Sequence, residues 1–264
     1  MSLVEVIMSS TKLDKHNEKM TKEALEKMAE NVNKYYIPVG IEHDPRIEPQ
    51  GRVISAEVFQ GEDGEYYLKG IIETFTENSE IKSDSEKIMR IDKFNNDCLE
   101  LHYDRSYKDD LDLLNEINYA INSSVKPQFQ NKKSLEPLSL LTIGGAFIAG
   151  GIASGFLNKI GSDAWDKIKP LLSQLFNKNK AQEKLFSLNL VVDHNGEKIL
   201  IDIILTNPTE EDLDKLYLKI NEIDAFITPI LSTNFNIRKF VIEFKDGLFN
   251  SKFIVKKDCV PIKL

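Results

Sequence analysis

Cysteine is nearly absent: the chain of 264 residues has two, Cys98 and Cys259, far apart and in no C-x-x-C or Cys/His cluster. That excludes a disulfide framework and a zinc finger, and it fits a reducing cytoplasm. A basic excess is also lacking, since 34 Lys and Arg face 42 Asp and Glu for a net charge of −8. A surface built to neutralise nucleic-acid phosphates is therefore not expected. The first residues, MSLVEVIMSS, carry neither a positive n-region nor a long apolar h-region, so they read as mature sequence and not as a signal peptide. No repeat of the solenoid type is visible. With 41% hydrophobic and 29% charged residues, the chain is neither disordered nor too small to build a core.

The charge is unevenly placed. Residues 1–110 hold 15 basic and 24 acidic side chains, and the remaining residues are almost balanced with 19 and 18. Residues 122–137 (NSSVKPQFQNKKSLEP) have the polar, proline-containing composition of a connector. The reading is an α+β chain with a first domain at 1–121, a linker at 122–137, an apolar and an amphipathic helix at 138–176, and a small domain at 183–264.

Val4–Met8 reads as a strand, and Thr21 caps a helix running to about Tyr35 with apolar residues Ala24, Leu25, Met28 and Val32 at helical spacing. Tyr36–Gly40, Arg52–Phe59 and Tyr66–Phe75 read as strands, the last two joined by the turn Gly61-Glu62-Asp63-Gly64. Leu99–Tyr103 is a further strand. The last third predicts a ββαββ unit: hairpin Leu185–Val192/Lys198–Leu205 turning at His194-Asn195-Gly196, a helix at 209–225, and hairpin Lys239–Phe244/Lys252–Lys256 turning at Asp246-Gly247.

Leu138–Leu157 (LSLLTIGGAFIAGGIASGFL) has no formal charge and the length needed to cross a bilayer as a helix. Its small-x-x-x-small pairs Gly145/Ala149, Gly150/Ser154 and Gly151/Gly155 would let two helices approach closely. The alternative is a glycine-rich helix buried against a partner or against its own copy. An amphipathic helix comes next, with a break or bend at Pro170 and Trp165 where an interfacial anchor would sit.

Leu13–Glu18, Thr21–Met28, Ile37-Pro38-Val39-Gly40-Ile41-Glu42-His43-Asp44-Pro45-Arg46, Gly51-Arg52-Val53 and Asp63–Gly70 together resemble, in order and spacing, the phage prohead (capsid-maturation) serine proteases. The resemblance covers about residues 4–75. It implies a small β-barrel with flanking helices, related to herpesvirus assemblin, and makes His43 the catalytic base. An imidazole at a strand end beside Asp44 suits that role, and equally suits an ordinary turn histidine. The family's nucleophile lies in an L-S-I-G-Y-like strand that has no counterpart at the expected distance. Cys98, 55 residues after His43, occupies the corresponding stretch as a nucleophile or as a small buried hydrophobe. His102 shares a strand face with Cys98 and Glu100, but lies about 13 Å along the strand from Cys98, so it could act only through His43. Leu141-Thr142-Ile143-Gly144 imitates the serine-bearing strand inside a stretch read as helix. Ser106, Ser123, Ser124 and Ser139 have no motif support.

Asp14, His16 and Glu18 alternate as metal ligands could, or as a solvated loop ahead of a helix, and the latter reading is preferred. No cofactor and no metal are expected. The functional expectation is a prohead-protease-like domain acting on a protein substrate or on itself. The alternative is a non-enzymatic scaffold or membrane-inserting effector in a phage-response or toxic role. Partners would be protein, a second copy in a homo-oligomer, or a membrane through 138–157, but not nucleic acid. The expected location is cytoplasmic or membrane-associated.

Overall fold

The computed structural model describes residues 2–14, 19–75, 86–91, 98–121, 125–130, 138–147, 152–178, 183–194, 196–234 and 236–264. It is a mixed α+β structure with two sheets. Two compact units are present: residues 1–41, 47–90 and 255–262 form the first, and 42–46, 91–254 and 263–264 the second.

In the first unit, β1 (Ser2–Ser10), β2 (Ile37–Val39), β3 (Gly51–Gln60) and β4 (Tyr66–Thr74) make an antiparallel sheet in the order β1-β4-β3-β2. The helix α1 (Lys22–Lys34) is capped by Thr21, whose hydroxyl accepts from the Ala24 N–H at 3.2 Å. Leu25, Ala29 and Val32 then fall on one face and pack with Val53, Ala56 and Leu68. Asn33 fastens that helix to β3 by exchanging two hydrogen bonds with the Ala56 backbone. Glycine is required at position 51, where a Cβ would lie 2.6 Å from the Glu73 carbonyl oxygen of β4. Across β3 and β4, Arg52 and Glu73 form a buried ion pair at 2.6 Å. The Arg52 guanidinium lies 4.1 Å from the centre of the Tyr36 ring. The expected hairpin is β3–β4. The sheet order given above runs from β1 at one edge to β2 at the other, with no β1–β2 pairing among the described residues.

The elements that follow in the chain are β5 (Glu100–Tyr103), α2 (Leu111–Ala120), β6 (Gln128–Phe129), β7 (Leu138–Phe147), α3 (Ile152–Ile160), α4 (Ser162–Lys178), β8 (Glu183–His194), β9 (Glu197–Thr206), α5 (Glu210–Lys219), α6 (Ile223–Thr233), β10 (Ile237–Lys245), β11 (Leu248–Lys256) and β12 (Pro261–Lys263), all in the second unit except the last two residues of β11 and the first two of β12. The sheet runs β12-β11-β10-β9-β8-β7-β5-β6. Both expected hairpins form, as β8–β9 and β10–β11. The second turns at Asp246 and Gly247 with φ of 54° and 78°, the left-handed pair that a two-residue hairpin needs. β9 and β10 run parallel, and α5 and α6 fill their crossover.

The largest correction concerns the apolar segment. Leu138–Phe147 is a strand, parallel to β8 and antiparallel to β5, and not the first half of a helix. Leu140, Leu141, Ile143 and Ala146 are all buried, as are Ser139 before them and Thr142 between them. Both faces are covered, so the strand reads as a continuous apolar run without the alternation that would have marked it. Among the described residues the helical part is Ile152–Ile160. Among the described residues no helix is long and apolar enough to cross a membrane. Gly150, Gly151 and Ala149 lie outside those residues.

Of the expected break or bend at Pro170 a break is not seen, since α4 continues through it as one helix. Trp165 is 1% exposed, stacks on Tyr217 and donates from Nε1 to the Leu213 carbonyl at 3.3 Å. It is a core residue and not an interfacial anchor. Most of the expected linker (122–124 and 131–137) lies outside the described residues, and the part between contains β6.

Candidate functional site

His43 is not at a strand end. β2 stops at Val39, and Glu42 and His43 sit in a turn with φ of 53° and 59°. Two successive left-handed non-glycine residues are strained and persist only where neighbouring contacts hold them. Arg46 makes those contacts. Its guanidinium donates to Asp44 at 2.6 to 3.1 Å, to Glu183 at 2.7 Å and to the Thr206 hydroxyl at 3.2 Å. Burial alone would raise the Asp44 carboxyl, but hydrogen bonds from Arg46, with the charges of Arg46 and Lys252, hold it below its ordinary value. The same carboxylates of Asp44 and Glu183 keep Arg46 more firmly protonated, against the opposing effect of burial.

This cluster borders a cavity of about 340 Å³ at the carboxyl ends of the parallel strands β9 and β10, lined by Arg46, Thr206, Asp212, Glu243 and Lys245 among others. Such an end is where open α/β sheets commonly bind ligands. Three of the charged groups there, Arg46, Asp212 and Glu243, are engaged by neighbours. Thr209 and Asp212 close a reciprocal capping box on the first turn of α5, so that helix end offers little to an anion. Glu243 pairs with Lys252 at 3.7 Å.

Cys98 is 7% exposed and lies two residues before β5. The register Glu100↔Gly144↔Asn189 places it beside the Ala146 and Val191 end of β7 and β8. The His43 turn is anchored to Glu183, at the other end of β8. Eight residues of strand separate those two levels, about 26 Å at 3.3 Å per residue. His102 lies between them, opposite Thr142 and Ser187, about 13 Å along the strands from Glu183 and two strand spacings across. The three residues His43, Cys98 and His102 are thus not brought together.

The expected shared face of Glu100 and His102 is present. The Gln130 amide nitrogen contacts His102 Nδ1 at 2.9 Å, and Glu100 lies 3.2 Å from Nε2. Ser106 donates to Asp104 at 2.5 Å, and Ser139 is wholly buried. Burial pushes the Cys259 thiol up to about 12, with Arg52 and Lys87 opposing and Asp258 adding to the rise. It is a poor nucleophile. Of the suggested metal set, His16 and Glu18 lie outside the described residues, as do Ser123 and Ser124. No group of three potential ligands occurs among the described residues.

Two features escaped the sequence reading. Asp202, inside the apolar strand Ile199–Leu205, is 2% exposed; it accepts from the Ser187 hydroxyl at 2.5 Å and pairs with Lys239 at 2.7 Å. An aspartate in the middle of such a run was the available signal. The other is β1, whose Leu3, Val4 and Ile7 are 61%, 43% and 54% exposed on a sheet edge. Comparison of the chain with protein-family models, with curated proteins and with solved structures finds no match.

Proposed function

We propose that this chain is a non-catalytic interaction protein that takes up a β-strand along the open edge of β1. The observation that carries this reading is a contrast between sheet edges. β2, β6 and β12 are two or three residues long. Each has a proline in it or directly before it: Pro38, Pro127 and Pro261. Short strands and proline are the usual protection against unwanted pairing. β1 has nine residues, no proline, one charge (Glu5) and three exposed large apolar side chains. An edge with those properties pairs with another strand through its backbone, and its alternating side chains select the partner.

Supporting the non-catalytic half is the strand register, which keeps the His43 turn and Cys98 at opposite ends of a sheet. A nucleophile and its base must be within hydrogen-bond reach. Intact mass of the purified chain over days, beside His43→Ala and Cys98→Ala, tests this. All three are expected to stay full length and to leave peptide substrates uncut; cleavage by the wild type that either change abolishes would refute it.

The peptidase reading, with its prohead-protease-like barrel over residues 4–75, stands second. Two observations favour it: the strand, helix and hairpin order of the first unit, and the Leu141–Gly144 motif lying on a strand with Thr142 directly opposite His102. Thr142 is 3% exposed, which leaves a scissile carbonyl no approach. Cleavage lost in Thr142→Val would reverse the order of the two readings.

A further inference from the structure

We propose that the strand taken up by β1 is the β1 of a second copy of this chain, antiparallel across a two-fold axis level with Val4. The inference rests on reading β1 as a pairing edge and adds the identity of the occupant.

Closure argues for a second copy. An isologous pair uses the open edge of both chains at once and, among the described residues, leaves only the short, proline-marked edges outward, so assembly stops at two. Without such closure an exposed apolar edge propagates into aggregates.

Charge and regularity choose the register. A two-fold axis normal to the sheet must lie midway between the two strands and level with a residue of β1, and the central candidates are Val4, Glu5 and Val6. An axis at Glu5 sets two carboxylates face to face, which is destabilising. An axis at Val6 carries the ladder across the irregularity between Ile7 and Ser9 on both strands. An axis at Val4 avoids both: it pairs Val4 with Val4, Ser2 with Val6, and Leu3 with Glu5. It covers Leu3 and Val4, two of the exposed apolar residues. One strand pair falls short of the roughly 1,200 to 2,000 Å² typical of stable interfaces, so association depends on concentration.

Sedimentation of the full chain from micromolar to millimolar concentration tests the proposal. The wild type is expected to pass from one chain mass to two. Val4→Lys, which sets two ammonium groups opposite each other, is expected to stay at one chain mass. Leu3→Lys, which meets the partner's Glu5, is expected to associate several-fold more tightly. Both positions are exposed, so neither change threatens the fold. Val4→Cys is expected to form a disulfide-linked dimer on oxidation. A wild type that remains at one chain mass at millimolar concentration overturns self-pairing. Amide exchange on that monomer then separates the two claims: rapid exchange along β1 retains the open edge for another partner, and slow exchange removes it. A Leu3→Lys variant that weakens association as much as Val4→Lys overturns the register.

Discussion

Arg52→Met, Glu73→Gln and the double change Arg52→Met/Glu73→Met measure how the first unit is held. The Arg52 and Glu73 side chains are 1% and 6% exposed and meet at 2.6 Å, and Arg52 also donates to the Asp258 carbonyl at 2.9 Å. Removing one member of such a pair leaves the other charge dry and uncompensated, at a cost of about 3–5 kcal/mol. Removing both leaves chiefly the Asp258 carbonyl without its donor, about 1–3 kcal/mol. The double variant should therefore be more stable than either single variant, although it has lost more contacts. Denaturant unfolding followed by far-ultraviolet circular dichroism reads this as a midpoint order of wild type, double variant, then single variants. Losses under about 1 kcal/mol in both single variants, the size expected of an exposed pair, would refute the burial on which the reasoning depends.

Three further outcomes are expected from the geometry. Leu141→Ala, at a wholly buried position of β7, should cost about 2–5 kcal/mol in chemical denaturation and leave the chain's partition between detergent and water unchanged. Tyr107→Phe removes a buried hydroxyl that has no hydrogen-bond partner among the described residues, and should raise stability by about 1 kcal/mol in thermal unfolding. Asp44, whose carboxyl is held below its ordinary value, stabilises the fold above the unfolded value near pH 4 and loses that contribution as pH falls through its folded value. The stability gap between wild type and Asp44→Asn should accordingly be full at pH 7 and shrink in acid; a gap independent of pH would contradict the Arg46 pairing.

Local rules were readable where one residue type decides the backbone. Thr21 announces α1, and Asp246-Gly247 announces the β10–β11 turn, because a cap and a left-handed hairpin pair each have a short list of suitable residues. The features that depend on surroundings were not. The stretch Leu138–Leu157 is apolar in either conformation, and only pairing with β5 and β8 decides that its first half is a strand. His43 was expected at a strand end beside Asp44. The left-handed turn there is held by Arg46 bonds to Glu183 and Thr206, residues more than a hundred positions away. Cys98 and His102 matched a chemical pattern by spacing, yet register, which one sequence does not state, decides what they face. The strand character of β1 was visible in Val4–Met8, but its position at an edge was not.

Amide hydrogen exchange along β1, at micromolar and at millimolar concentration, tests the central claim most directly. The account predicts slow exchange in β3 and β4 at both concentrations. Along β1 it predicts fast exchange at alternate residues in dilute solution, slowing when the chain is concentrated. Uniform protection of β1 in dilute solution would contradict it, because an edge already covered cannot take up another strand.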